Sequence, residues 1–177
     1  MTWRHVTWIY LVLVALALAV VVDQRVKDSA PVVAEGAPEK SLLGVDATVI
    51  EEIAFRRGVT IVRASRDGER WRVIEPAAKE IPPDLIAAAV GTLTAGQVSE
   101  VVAEAPGSEL GAFGLTEPDF SVRAVIGGQR RRVIQVFVGA NNPTNTAVYA
   151  KRDDRPEVFL VGLNLRYYAE LMFDAAG

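Results

Sequence analysis

Residues 120–138 read FSVRAVIGGQRRRVIQVFV, and this stretch decides the fold class. Two apolar runs, Phe120–Ile126 and Arg131–Val138, flank Gly127-Gly128, the sequence signature of an antiparallel hairpin. The same grammar recurs on both sides. Downstream, Val148–Lys151 and Val158–Val161 bracket Asp153-Asp154-Arg155-Pro156. Upstream, Val49–Phe55, Val59–Ala64 and Trp71–Ile74 are separated by Arg57-Gly58 and Asp67-Gly68. A further strand is expected over Gln97–Val102.

Two segments change period. Pro82-Pro83-Asp84 opens a helix, because proline is tolerated in a first turn and Asp84 suits the positive end of the dipole. Leu85, Ile86, Ala89, Val90 and Leu93 then form one apolar face, and Gly96 closes it. Asn164 is expected to cap a last helix in which Leu165, Tyr168 and Met172 share a face. Ser108-Glu109-Leu110-Gly111 reads as a short turn, stopped by Gly114 and Pro118. Strands followed by a helix, twice over, hint at an internal duplication. The expected class is α+β, an antiparallel hairpin-rich sheet with two main helices packed on it.

The first forty residues differ from this body. Val6–Val22 is VTWIYLVLVALALAVVV, seventeen residues without a charge. At about 1.5 Å per residue it covers roughly 25 Å, near the lower limit for a bilayer core. Trp3, Trp8 and Tyr10 suit a headgroup boundary, and the flanking charges place Met1 in the cytoplasm. Ala17-Leu18-Ala19 has the form of a signal-peptide cleavage site, but Val20, Val21 and Val22 prolong the apolar run beyond it. One N-terminal transmembrane helix (residues 1–22) is expected. It would make the chain a single-pass inner-membrane protein with a periplasmic body. Residues 23–44, rich in Pro, Ala, Glu, Lys and Gly, read as a tether, and residues 45–177 as the folded domain.

Charge and composition exclude several functions. The net charge is −3, and the first forty residues hold four basic and four acidic groups, leaving 15 against 18 in the body. A mildly acidic body does not suit nucleic acid, whose phosphates require a basic surface. The chain has no cysteine, and its one histidine, His5, lies beside the apolar run. Thiolate chemistry, His-based relays and Cys or His metal sites in the body are therefore excluded. Glu51-Glu52 would point to opposite faces of a strand, and Asp153-Asp154 falls in a turn, so both pairs read as solvated surface. No cofactor and no catalytic set is expected.

Two polar groups stand out as possible partner contacts. The arginines Arg123, Arg130, Arg131 and Arg132 gather near the Gly127-Gly128 tip, while Arg56, Arg57, Arg63, Arg66, Arg70 and Arg72 mark the earlier hairpins. The loop Gly139–Thr146 (GANNPTNT) offers Asn141, Asn142 and Asn145 for a partner or glycan, or to its own turn backbone. Trp71, Phe113, Tyr149 and Phe159 fall where large core residues are needed.

Four motifs in order carry a resemblance. Arg66–Pro76 (RDGERWRVIEP) resembles a "DG-x-W-x-(apolar)-x-x-P" hairpin, and Phe113–Pro118 (FGLTEP) an "(aromatic)-G-L-x-x-P" signature. Val138-Gly139, then Val148-Tyr149-Ala150, then Val158–Val161 follow in the same sequence. Together they are similar to domain-of-unknown-function family 4340, from about Val49 to Met172. The matching positions are Gly68, Trp71, Pro76, Gly114, Leu115, Pro118, Gly139 and Tyr149, and their expected role is structural. The resemblance implies a membrane-anchored, non-enzymatic domain. Some family members accompany, or are fused to, auxiliary parts of ABC-type transport systems linked to gliding motility. Many members carry more than one such unit, whereas this chain is shorter. The expectation is an accessory that binds an envelope or transporter protein; the alternative is an envelope ligand- or glycan-binding module.

Overall fold

The computed structural model describes residues 41–177 except Ala78, Gly96, Gln97, Ala105 and Pro106. Val6–Val22 lies outside the described residues, and among those described no helix is long and apolar enough to cross a membrane.

The described chain is α+β. Its strands are β1 (Ile50–Arg57), β2 (Thr60–Asp67), β3 (Arg70–Glu75), β4 (Val98–Glu104), β5 (Phe120–Ile126), β6 (Arg132–Asn141), β7 (Ala147–Arg152) and β8 (Glu157–Gly162). Helix α1 spans Pro83–Thr94 and α2 spans Asn164–Ala176; 3-10 turns occupy Ala47–Val49 and Gly107–Phe113. All pairings are antiparallel, in one sheet of order β3-β2-β1-β5-β6-β7-β8-β4. Two meanders, β3-β2-β1 and β5-β6-β7-β8, join through β1 and β5. The duplication hint ends there, because β4 crosses to the far edge beside β8.

Strand alternation decides what each face does. Ile53 and Phe55 of β1, Val62 and Ala64 of β2, Phe120 and Val122 of β5, and Ile134 and Val136 of β6 are buried together. They pack under Ile86, Ala89, Val90 and Leu93 of α1 and Leu165, Ala169 and Met172 of α2. Each large apolar side chain removed from water here contributes about 1.5–3 kcal/mol. The other face meets water over β1, β2 and β5, whereas over β6–β8 Phe137, Tyr149 and Val158 are covered there by Leu110, Phe113 and Leu115.

Three local expectations are corrected. Val59 is not in a strand: it is the second residue of the turn Gly58-Val59 and 98% exposed, with Gly58 supplying the positive φ of 56°. Asn164 does not cap α2; Leu163 holds the cap position, without a side-chain hydrogen bond, and Asn164 is already helical. Leu42 and Leu43, expected in the tether, are 1% exposed and part of the core. The Leu43 amide donates to the Leu93 carbonyl at 3.0 Å, so the chain is already folded there.

Candidate functional site

Phe113 and Leu115 explain the aromatic-Gly-Leu signature. Leu115 and Val158 form a second, small core with Leu110, Phe113, Phe137 and Tyr149, separate from the one beneath the helices. The rings of Phe113 and Tyr149 meet edge to face, 4.8 Å between centroids. Gly114 and Gly139 let this segment touch β6. Gly114 has φ +66°, and a Cβ there would lie 2.7 Å from the Ala140 amide nitrogen; a Cβ on Gly139 would overlap the Phe113 carbonyl oxygen. Trp71 is 5% exposed in the main core, with the Arg66 guanidinium 5.0 Å over its ring. Gly68, with φ +63°, begins the two-residue β2–β3 turn, and Pro76 follows β3. Pro118 immediately precedes Asp119 and the start of β5.

Next to this contact lies a shallow depression of about 490 Å³, lined in part by Glu117, Asp119, Gly139, Asn141 and Arg166. Its cation is already committed. Arg166 reaches Asp119 Oδ2 at 2.5 Å and the Gly139 carbonyl at 2.6 Å, while Arg57 reaches the same Asp119 oxygen at 3.4 Å. Glu170 lies 3.8 Å from Arg166 and 4.0 Å from Arg57, so two cations face two carboxylates. Arg57 also stacks 4.6 Å from the centre of the Phe173 ring. This cluster fastens α2 to the ends of β1 and β5.

Asn141, Asn142 and Asn145 do not converge with the arginines. They sit in the β6–β7 hairpin, whereas Arg130, Arg131 and Arg132 sit at the β5–β6 hairpin, at the opposite end of β6. In the asparagine loop the polar groups are turned on one another. Asn142 Oδ1 accepts from the amides of Thr146 (2.9 Å) and Ala147 (3.1 Å), and its Nδ2 donates to Thr144 and Thr146 Oγ1. Asn141 Nδ2 donates to Asn145 Oδ1 at 3.3 Å, and Asn145 takes φ +54°, a left-handed conformation that asparagine tolerates.

The uncovered face of the sheet carries a different set. Register places Ala54 opposite both Arg63 and Arg123, with Arg56 two residues along on the same face. Such diagonal neighbours lie about 7–8 Å apart. Arg63 is held 3.7 Å from Glu52 and 3.7 Å from Glu75. Arg56 and Arg123 are exposed and have no ion pair among the described residues. Ser121 and Gln135 complete the row beside Arg123 and Arg56. Arg123 thus belongs with Arg56 and Arg63, not with the tip to which sequence proximity assigned it.

A family model described as "Domain of unknown function (DUF4340)" matches residues 71–175, more than half of the chain. The chain belongs to this family. No curated protein and no solved structure is significantly similar to it. The DUF4340 match begins at Trp71, so β1 and β2 precede it although they are integral to the sheet.

One functional-looking residue escaped the sequence. Arg152, at the end of β7, is 4% exposed. Its guanidinium donates to the carbonyls of Leu42 (3.2 Å) and Leu43 (2.9 Å) and forms a two-pronged pair with Asp154 at 2.7 and 2.5 Å. The hydrogen bond from Arg152 holds the Asp154 carboxyl below its ordinary 3.8. Arg152 is therefore the clamp that fixes the incoming chain on the DUF4340 domain. Among the described residues no group of three or more His, Asp or Glu could hold a metal ion.

Proposed function

We propose that this protein is a non-enzymatic accessory of the bacterial envelope, with its body in the periplasm and Val6–Val22 holding it in the inner membrane. Its task in this reading is to bind another envelope protein, a component of an ABC-type transport system. The observation that carries it is the uncovered sheet face. Strands β1, β2 and β5 present Arg56 and Arg123, exposed and without an ion pair among the described residues, beside Ala54, Ile61 and Ser121. An arginine-bearing flat face suits bidentate pairing with carboxylates of a partner protein. Of the motif residues, by contrast, Trp71, Leu115 and Tyr149 are consumed in the two cores, and Gly68, Gly114 and Gly139 in a turn and a close backbone approach.

The test is crosslinking of the full-length chain in native membranes, followed by affinity purification and identification of what accompanies it. Transporter subunits are expected, and Arg56→Glu with Arg123→Glu should abolish their recovery. Recovery of monomeric protein alone under gentle solubilisation would overturn the reading.

A further inference from the structure

The charged hairpin tips are not distributed evenly around the sheet. The turn joining β2 to β3 has Asp67 and Glu69 next to Arg70 in sequence, and the turn joining β7 to β8 has Asp153 and Asp154 next to Arg155. The β1–β2 tip carries Arg56 and Arg57 without an acid, but Arg57 is held by Asp119 and Glu170. The β5–β6 tip reads Gly127-Gly128-Gln129-Arg130-Arg131-Arg132, three cations and no acid. All three arginines are exposed; Arg131 lies 3.7 Å from Glu51, itself well exposed, and the other two have no ion pair among the described residues.

This tip shares its end of the sheet with the two mixed-charge turns, at Asp67–Arg70 and Asp153–Arg155, and with the incoming chain. Leu42 and Leu43 are bonded to Arg152, the last residue of β7, and the Val49 carbonyl accepts from the Gly127 amide at 2.8 Å. Ser41–Val49 is thus fixed at both ends beside the arginine hairpin. The asparagine loop and the turn at Gly58-Val59 lie at the other end. Residues 23–40 separate the apolar run from this point, a length that spans roughly 60 Å even at full extension.

Resting on the anchored reading above, we propose that Arg130, Arg131 and Arg132 dock on anionic lipid headgroups of the membrane that holds the chain, setting which end of the domain faces the bilayer. Basic side chains near an anionic surface gain attraction that decays within a Debye length, and tethering keeps them within reach. The uncovered sheet face, running away from this tip, is then held upright for a protein partner.

Since the chain has no cysteine, Gln129→Cys and Val59→Cys each create one labelling site, at the tip and at the opposite end. Each full-length variant is labelled with a fluorophore and placed in nanodiscs carrying a headgroup-nitroxide lipid. The discs are made of phosphatidylcholine alone or with phosphatidylglycerol. In anionic discs the Gln129 probe is expected to be quenched several-fold more than the Val59 probe. The excess should vanish in neutral discs, in high salt, and when Arg130, Arg131 and Arg132 are changed to Gln. Equal quenching of both probes in anionic discs overturns the docking while leaving the anchor standing. A chain that fails to enter the discs overturns the anchor and the docking together.

Discussion

Strand β6 ends in two hairpins of opposite character. At one end Asn142 spends all its side-chain hydrogen-bonding capacity on Thr144, Thr146 and Ala147, closing a polar loop on itself. At the other, roughly 30 Å away by strand rise, three arginines project from a glycine turn and share, among the described residues, one exposed ion pair. Both are rich in polar groups, and the sequence alone makes each a possible contact. The difference teaches that polar side chains mark function only where the fold leaves them unemployed. An asparagine–threonine loop is self-satisfying because short side chains reach nearby backbone. Arginine at a two-stranded tip can do the same, as Arg56 does by donating to the Gly58 carbonyl at 3.1 Å, but Arg130, Arg131 and Arg132 make no such bond among the described residues.

The contrast breaks most severely at Gly139, where β6 approaches the asparagine end. Adding one methyl there drives a Cβ into the Phe113 carbonyl, and neither backbone can yield without moving β6 or the 3-10 helix. Gly139→Ala should cost about 3 kcal/mol, at the upper end of overpacking penalties. Urea unfolding followed by circular dichroism would read it as a lower midpoint with an unchanged slope. An unchanged midpoint would mean that the second core does not contribute to global stability.

Asn142→Ala comes next. It leaves the Thr146 and Ala147 amides without their protein acceptor, although the site is exposed enough for water to replace part of the loss. A decrease of about 1–2 kcal/mol is expected, together with faster hydrogen exchange at those two amides. If stability holds and exchange is unaltered, the loop is not self-supporting and its side chains are available to a ligand after all.

A third hairpin, β7–β8, allows an acid test. Asp154 is held below 3.8 by the Arg152 hydrogen bond, so the folded state binds that proton less readily than the unfolded one. The linkage is of the depressed-carboxylate kind: stability is fully present above the unfolded value and lost as pH falls through the folded one. Asp154→Asn should cost under about 1 kcal/mol at neutral pH, because the carboxylate is half exposed. Its deficit relative to the unaltered protein should disappear below 3.8. A deficit independent of pH would show that hydrogen bonding to Arg152, not charge, is what Asp154 supplies.

Much of the architecture was legible in the sequence because period and turn chemistry agree. Each of the eight strands has a matching apolar run, and the helices at Pro83 and Asn164 follow from proline and facial spacing. Strand order was less accessible: nothing local distinguishes a β4 that pairs with β8 from one beside β3. Val59 was misplaced because a β-branched residue resembles a strand start even when Gly58 makes it the corner of a turn. Leu42-Leu43 was hidden by polar neighbours, since two apolar residues carry no period. Arg152 was illegible for a deeper reason. Its partners are carbonyls some 110 residues earlier, and backbone acceptors leave no trace in side-chain identity.

The smallest expected effect is the one that sharpens the comparison most. Changing Arg130, Arg131 and Arg132 together to Gln should alter unfolding free energy by less than about 0.5 kcal/mol, because exposed arginines and one surface ion pair contribute little. Two opposing increments operate: the Arg131–Glu51 pair is lost, and repulsion among three adjacent cations is relieved. Neither groups nor backbone are left buried and unpaired, so no larger penalty is available. A near-zero change, set against the loss expected at Asn142, would establish that one hairpin of β6 serves the fold and the other is free to serve something else. A loss above 1–2 kcal/mol would instead tie the arginines to the stability of the β5–β6 turn, and their freedom to dock would have to be given up.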